Sequence, residues 1–376
     1  MTEISDWVAS RGRNLCEEKH DIKATLAHYA ARDGRIDVLE WLKSRRKNVN
    51  AKDKEGITPI GCAACKGHLD AMKWLKEHGA DINGKATDGD TPMSLAASEG
   101  HIDVMEWLKS QGVDVNSRGN RGFTPMFLAA GGGQVAAMKW LKSQGADVDV
   151  KDDHGYTPMF AAAVHGHVEA MKWLKEQGLD IHAKDYNGCT PMFSAARLGQ
   201  IDAMKWLKAQ GADIHARGFL NCTPMFLAAQ EGQRDAMTWL QAQGADIHAR
   251  DTYGLTPMFW AASQGQIDAM KWLKAQGADA NARNSDGETP MFSAAGSTQI
   301  ETMTWLKEQG ADINTRDNNG RTPMFHAAKY GQIEAMAWLK EQGADIDAKD
   351  MKGKTPLSAT PKKKNKQWLR DNGVRE

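Results

Sequence analysis

The stretch DYNGCTPMFSAARLGQIDAMKWLKAQGADIHAR, residues 185–217, decides the fold because its pattern returns along the chain with a fixed period. Its Thr-Pro dipeptide begins at Thr190, and others begin at 33-residue steps, without insertion, at residues 58, 91, 124, 157, 223, 256, 289, 322 and 355. One step before Thr58 lies Thr25, where TLAHYAARDGRIDVLEWLKS keeps the pattern without its proline. Such a period is typical of arrays built from one supersecondary unit per repeat. The sequence therefore predicts an array of eleven units.

Local signals divide each unit into a hairpin-like loop and two short helices. Thr190 is the expected N-cap of the first helix, and Pro191 is its first residue, where the missing N–H costs nothing. Gly199 permits the turn into a second helix, and Asp202 lies at the positive end of that helix dipole. Gly211 is the expected C-terminal cap. Helices this short are unstable alone, so the units must stack, which predicts an all-α repeat solenoid.

The motif G-x-T-P-x-x-x-A-A-x-x-G followed by G-A-D resembles the ankyrin repeat, and the resemblance covers residues 25 to about 357. It implies stacked helix-turn-helix units with hairpin-like loops, and a protein that binds other proteins. The family's usual histidine after Thr-Pro-Leu survives only as His28. Phenylalanine replaces it at residues 127, 160, 193, 226, 259, 292 and 325. We therefore expect a ladder of buried phenylalanines in place of histidine hydrogen bonds.

The ends of the array differ from its middle, as capping repeats do. We predict an N-terminal capping half-repeat at residues 1–24, the ankyrin array at residues 25–354, and a shortened C-terminal capping repeat with a basic tail at residues 355–376.

Composition narrows the classes of partner. Lys plus Arg equals Asp plus Glu at 48 each, so no net charge draws the whole molecule to nucleic acid or an anionic membrane. No apolar run has the length of a signal peptide or a membrane span. Five cysteines form an odd and sparse set, unlike a secreted disulfide framework. These features predict an intracellular, cytoplasmic protein with reduced thiols and no membrane contact.

Positions that vary between units are free to be shaped by a partner. They are the loop tip two to five residues before each first helix, the fifth residue of the first helix, and the pair before the inter-helix glycine. The resemblance implies that they lie on the concave recognition surface. Successive loops carry aromatic residues, which favours an interface hot spot, although packing on the neighbouring loop is the alternative. The aromatic and apolar members of the predicted site are Phe123, Tyr156, Tyr186, Phe219, Leu220, Tyr253 and Trp260.

Basic residues complete the predicted site. They are Arg118, Arg121, Arg197, Arg217 and Arg250. Most members of the basic column before each loop are followed by Asp, which predicts local pairing. Arg118 and Arg217 are instead followed by glycine, so we expect their charges to be less compensated. A basic and aromatic strip can grip an acidic peptide or stack on single-stranded nucleic acid.

The leading interpretation is a scaffold or inhibitor that binds another protein and is monomeric on its own. Nucleic-acid binding by the same strip is the alternative, and a structural, self-assembling spacer is a third. Neither a phosphate-binding glycine loop nor a catalytic motif is present in the sequence. We therefore expect no enzyme activity, no catalytic residues, no cofactor and no metal.

Overall fold

The structure is a computed structural model, and it describes residues 26–374. This part of the chain folds into α-helices and short loops with one 3₁₀ turn, and none of it forms a strand. It divides into two compact units after Tyr186. The predicted N-terminal capping half-repeat at residues 1–24 lies outside the described residues.

The first unit contains five helix pairs within its described part. They are α1 (Leu26–Arg32) and α2 (Ile36–Ser44), α3 (Pro59–Cys65) and α4 (Leu69–Glu77), α5 (Pro92–Glu99) and α6 (Ile102–Ser110), α7 (Pro125–Gly131) and α8 (Val135–Ser143), and α9 (Pro158–His165) and α10 (Val168–Glu176). Each first helix packs against the first helix of the next pair. The unit is thus a stack of helix-turn-helix repeats.

The second unit repeats the arrangement with six pairs. They are α11 (Pro191–Arg197) and α12 (Ile201–Ala209), α13 (Pro224–Gln230) and α14 (Arg234–Ala242), α15 (Pro257–Ser263) and α16 (Ile267–Ala275), α17 (Pro290–Gly296) and α18 (Ile300–Glu308), α19 (Pro323–Tyr330) and α20 (Ile333–Glu341), and α21 (Pro356–Ala359) and α22 (Lys363–Asp371). The 3₁₀ turn, Phe219–Asn221, precedes α13. The all-α solenoid fold predicted from the repeat is confirmed.

The repeat that decides the fold has the expected boundaries. Gly199 and Gly211 take left-handed φ values of 68° and 96°, as glycine turns and caps do. Thr190 occupies the N-cap position, but its hydroxyl does not cap α11. The Phe193 amide instead donates to the Thr190 carbonyl at 2.9 Å. The amide that a capping hydroxyl would have satisfied is therefore already bonded to backbone.

Seven of the eleven first helices, from α7 to α19, carry a phenylalanine that packs into the core. Phe160 in the first unit, and Phe193, Phe226, Phe259 and Phe292 in the second, are at most 1% exposed. His28 is also buried, and its Nε2 lies 3.0 Å from the Ile57 carbonyl oxygen of the next repeat. The expected replacement of histidine bonds by buried phenylalanine is confirmed, and hydrophobic burial replaces directional bonding there.

Single backbone hydrogen bonds link successive loops. In the second unit the Thr252 amide donates to the Leu220 carbonyl at 2.8 Å, and the Ser285 amide donates to the Tyr253 carbonyl at 2.9 Å. Within a loop, Asp251 Oδ1 accepts from the amides of Tyr253 and Leu255, both at 2.9 Å. These bonds hold the loops in a row without forming a sheet.

The carboxyl group of one loop residue in the first unit lowers the stability of the folded protein at neutral pH. Asp90 is half-buried and precedes the N-cap of α5. Burial, and after it the negative charge of Asp88, raises the pKa of Asp90 to about 6. Because the folded state favours the protonated carboxyl, stability falls as the pH rises from about 4 to about 6.

We expect Phe259→Ala to destabilise the second unit by about 3–5 kcal/mol, because it leaves a cavity among fully buried side chains. Urea unfolding followed by circular dichroism measures the change. The matched control is Phe219→Ala, the same substitution at a side chain that is 53% exposed, where we expect less than about 1 kcal/mol. Equal losses in the two variants would contradict the assignment of Phe259 to the core.

We expect Asp90→Asn to stabilise the protein at pH 7 by about 1 kcal/mol, after allowing for solvent screening of a half-exposed group. The gain should vanish below about pH 4, where the wild-type carboxyl is protonated in both folded and unfolded states. Urea titrations at pH 4 and pH 7 test this. Asp103→Asn, at an exposed carboxylate, is the control and should give no gain; a gain for Asp90→Asn that does not change with pH would refute the mechanism.

Candidate functional site

Three aromatic side chains of the predicted site point into solvent from loops. Tyr186 in the first unit is 73% exposed, and Phe219 and Tyr253 in the second are 53% and 52% exposed. We call these three residues the exposed loop aromatics. Large aromatic rings so far out of the core are available to a partner.

The other two loop aromatics, Phe123 and Tyr156, are half-buried. The Phe123 ring stacks on Phe127 with centroids 4.7 Å apart, and the Tyr156 ring lies 5.0 Å from Phe160. These two rings therefore pack on the first helix of their own repeat, whereas the packing alternative placed them on the neighbouring loop. Both immediately precede the repeat threonine, whereas the exposed loop aromatics lie three or four residues before it. This offset decides whether a loop ring reaches the first helix.

The loop that carries Phe219 departs from the Asp-x-x-Gly sequence of its neighbours. Leu220 and Asn221 have left-handed φ values of 53° and 63°, and Asn221 stands where the next repeat has Gly254 at 74°. A left-handed leucine costs about 1–2 kcal/mol. The strain lies beside the exposed Phe219 ring, and strained backbone residues cluster at functional sites in proteins.

Gly218 replaces the usual aspartate at the start of this loop for a steric reason. A Cβ at this position would lie 2.7 Å from Cys189 Sγ and 3.2 Å from the Phe193 ring. Tyr186 depends on a glycine in the same way, because a Cβ on Gly155 would lie 2.9 Å from Tyr186 Cδ1. Glycine thus allows close approach between neighbouring loops in each unit.

The basic column forms a ladder of hydrogen bonds to backbone. Arg250 Nη1 donates to the Gly254 carbonyl at 2.9 Å and to the Arg283 carbonyl, one repeat later, at 2.8 Å. Arg217 Nη1 donates likewise to the carbonyls of Asn221 and Arg250, at 2.8 and 3.3 Å. In the first unit Arg118 Nη2 donates to the Lys151 carbonyl. We call this arrangement the carbonyl ladder.

The ladder corrects the expected pairing between Arg250 and the aspartate that follows it. Asp251, which follows Arg250, accepts from loop amides and from Trp260 Nε1 instead. Within residues 26–374, neither Arg217 nor Arg250 forms an ion pair. No carboxylate in that range pairs with either guanidinium. The glycine after Arg217 therefore does not leave its charge less compensated than the charge of Arg250.

The remaining predicted residues have different environments. Trp260 on α15 is half-buried; its ring meets Phe226 edge-on at 5.4 Å, and its Nε1 donates to Asp251 Oδ2 at 3.1 Å. Leu220 is half-buried beside Phe219. Arg121, in the loop before Phe123, and Arg197, the last residue of α11, are exposed.

The second unit also contains a group of polar and aromatic side chains that the site predicted from the sequence does not include. This group comprises Glu288, Arg321, His326, Lys329, Tyr330 and Lys354. These residues occupy the same variable positions as the predicted site, but in later repeats. Burial raises the pKa of Glu288, but its hydrogen bond to His326, the charge of that imidazole, and Asn284 outweigh burial and hold it below the ordinary value.

The described part of the chain offers neither a cluster of metal ligands nor a helix that could span a membrane. Within residues 26–374, no three or more His, Cys, Asp and Glu side chains converge as a metal site would require. None of the helices in that range combines the length and the apolar character needed to cross a bilayer.

The repeat architecture agrees with a family model that matches this chain. The human ASB11 ankyrin repeat domain is similar in structure, with a TM-score of 0.48 and 23% identity, over 59% of this chain and 100% of that one. A search of curated proteins finds no match. The family model described as ankyrin repeats (3 copies) matches residues 27–119, 94–185, 126–218, 225–317 and 309–360. Ankyrin repeats are general protein–protein interaction modules and typically not catalytic. Since the matches cover most of its length, this chain belongs to the ankyrin repeat family.

Proposed function

We propose that the protein binds another protein through its exposed loop aromatics and the arginines beside them, and so acts as a scaffold or inhibitor. The observation that carries the proposal is the exposure of Tyr186, Phe219 and Tyr253. Interface hot spots are enriched in tyrosine, tryptophan and arginine. The site includes Arg217 and Arg250 and the other predicted residues, with Phe123 and Tyr156 supporting the loops from beneath.

The loops are suited to this role because they are ordered before a partner arrives. The carbonyl ladder and the backbone bonds between loops fix the positions from which Phe219 and Tyr253 project. A preorganised surface loses little conformational entropy on binding. Arginine that binds carbonyls keeps its charge, so it also offers electrostatic complementarity to an acidic partner.

The proposal includes a monomeric chain in the cytoplasm. Within residues 26–374, Cys62, Cys65, Cys189 and Cys222 form no disulfide. The hydrogen bond with Cys189, followed by burial, raises the pKa of Cys222 and keeps its thiol protonated. A protonated thiol beside a second cysteine, with no disulfide between them, suits a reducing compartment.

We expect a variant with Tyr186→Ala, Phe219→Ala and Tyr253→Ala to lose a protein partner that wild type captures from source-cell lysate. With the captured protein purified, the affinity should fall by at least about 30-fold, since one hot-spot aromatic contributes about 2 kcal/mol or more. Affinity chromatography measures the capture of the partner, and calorimetry with the purified partner measures the affinity. Circular dichroism confirms folding of the variant.

The matched control is Met351→Ala. Met351 stands at the position equivalent to Tyr186 and Phe219 and is 78% exposed, so the control removes an exposed loop side chain outside the proposed site. It should retain the partner. Capture of the same protein by the triple variant would refute the assigned site. Material that disappears on nuclease treatment, with affinity falling steeply with salt, would support nucleic-acid binding instead.

A further inference from the structure

We propose that the last repeats of the second unit carry a separate binding site for an acidic peptide segment of a partner protein. The site consists of two adjoining clefts that share His326 on α19. We call them the cationic cleft and the aromatic cleft. Neither contains an exposed loop aromatic, so this proposal stands apart from the proposed function.

The cationic cleft has a volume of about 480 Å³ and lies against α19 and α21. Arg321, Lys329 and Lys354 line it, and Asp350 is the one carboxylate in its lining. Three positive charges against one negative charge leave two in excess. Lys329 and Lys354 are exposed, and neither forms an ion pair within residues 26–374.

Asp350 does not neutralise the cleft because its oxygens are already engaged. Its Oδ1 accepts from the amides of Lys352 and Lys354, both at 2.9 Å, and its Oδ2 lies 3.6 Å from Arg321 Nε. Burial raises the pKa of Asp350, but these bonds and the guanidinium outweigh burial and keep it low. Asp350 thus remains ionised and positions Arg321, while the two lysines stay available for a carboxylate from outside.

His326 forms a fixed wall between the clefts. Its Nε2 lies 2.8 Å from Glu288 Oε1, and Glu288 Oε2 accepts from Asn284 Nδ2 at 3.0 Å. The imidazole also meets the Phe292 ring edge-on at 5.1 Å. Because both Glu288 oxygens already have partners, the charge of this carboxylate is satisfied within the protein rather than directed at a ligand.

The aromatic cleft has a volume of about 310 Å³. Phe292, His326 and Tyr330 provide rings, and the rest of the lining consists of Ser263, Ser293, Gly296 and Ser297. Tyr330 is 47% exposed, and a Cβ on Gly296 would lie 3.3 Å from Tyr330 Cδ2. Because Gly296 lacks a side chain, the Tyr330 ring lies close to the backbone of α17, and Lys329 Nζ stands 5.0 Å from the ring centroid. The exposed part of the ring suits the cleft to an apolar or aromatic side chain.

The positive charge of the cationic cleft and the apolar surface of the aromatic cleft together favour a peptide over a nucleic acid as the ligand. A peptide can place a Glu or Asp carboxylate among the lysines and an apolar side chain beside Tyr330. A phosphate chain that ran through both clefts would meet Asp350 in the cationic cleft and would find no lysine or arginine in the lining of the aromatic cleft. The combination of charge and apolar surface identifies an acidic peptide with an adjacent apolar residue.

The test uses an array of immobilised alanine-rich peptides, each with a single Glu and a single Phe at a different mutual spacing. Companion peptides carry Gln or Lys in place of Glu, or Ser in place of Phe. We expect the full chain to prefer Glu over Gln and over Lys, and Phe over Ser. Binding of the best peptide in solution should weaken by about tenfold or more in a Lys329→Glu, Lys354→Glu variant, as for loss of complementary charges.

The matched control is Lys352→Glu, which reverses a charge in the same exposed loop without lining either cleft. It should bind within about twofold of wild type, since isolated surface charges contribute little. The loop-aromatic triple variant should bind as wild type does, which separates the two proposals. Equal binding of Glu and Gln peptides, full binding by the charge-reversed protein, or displacement of the peptide by single-stranded DNA would each overturn the inference.

Discussion

Burial of the first helices against one another is the interaction on which the rest of the structure depends. A helix as short as α11, seven residues, is unstable in isolation because nucleation costs more than so few hydrogen bonds return. Met192 and Phe193 leave water only when a neighbouring repeat covers them. The loops and second helices take their spacing from this contact. A partner therefore meets side chains whose separation is set by core packing beneath them.

Much of this fold could be predicted because its signals are local. Pro191 begins a helix and Gly199 turns the chain wherever they occur in this pattern, since each acts through its own backbone geometry. The hydroxyl of Thr190 was predicted less well. Whether it caps α11 depends on competition with the backbone carbonyl of the same residue, which the Phe193 amide prefers. The repeat sequence alone does not show whether the amide bonds to the threonine hydroxyl or to the threonine carbonyl.

The candidate site was less predictable because exposure and pairing depend on neighbouring repeats. Tyr156 and Tyr253 are both loop tyrosines, yet only the first reaches a phenylalanine of the next helix. The partners of Arg250 are carbonyl oxygens four and 33 residues away, and every residue has a carbonyl, so the sequence offers no sign of them. The clefts around His326 were missed because sequence reasoning gave weight to aromatic residues in loops, while charge pairing between α19 and its neighbours appears only in three dimensions.

The carbonyl ladder has a consequence for how such a chain can change its length. Arg283 Nη1 binds the carbonyl of Arg316 as Arg250 Nη1 binds that of Arg283, each at 2.8 Å. The acceptor is main chain, so the bond does not specify which side chain the following repeat must bring. A duplicated or deleted repeat would find the same acceptor at the same place, and no compensating substitution would be needed. The number of repeats can therefore change by unequal recombination. The loop side chains can meanwhile diversify one repeat at a time, because the ladder places no requirement on the side chain of the residue that accepts the bond.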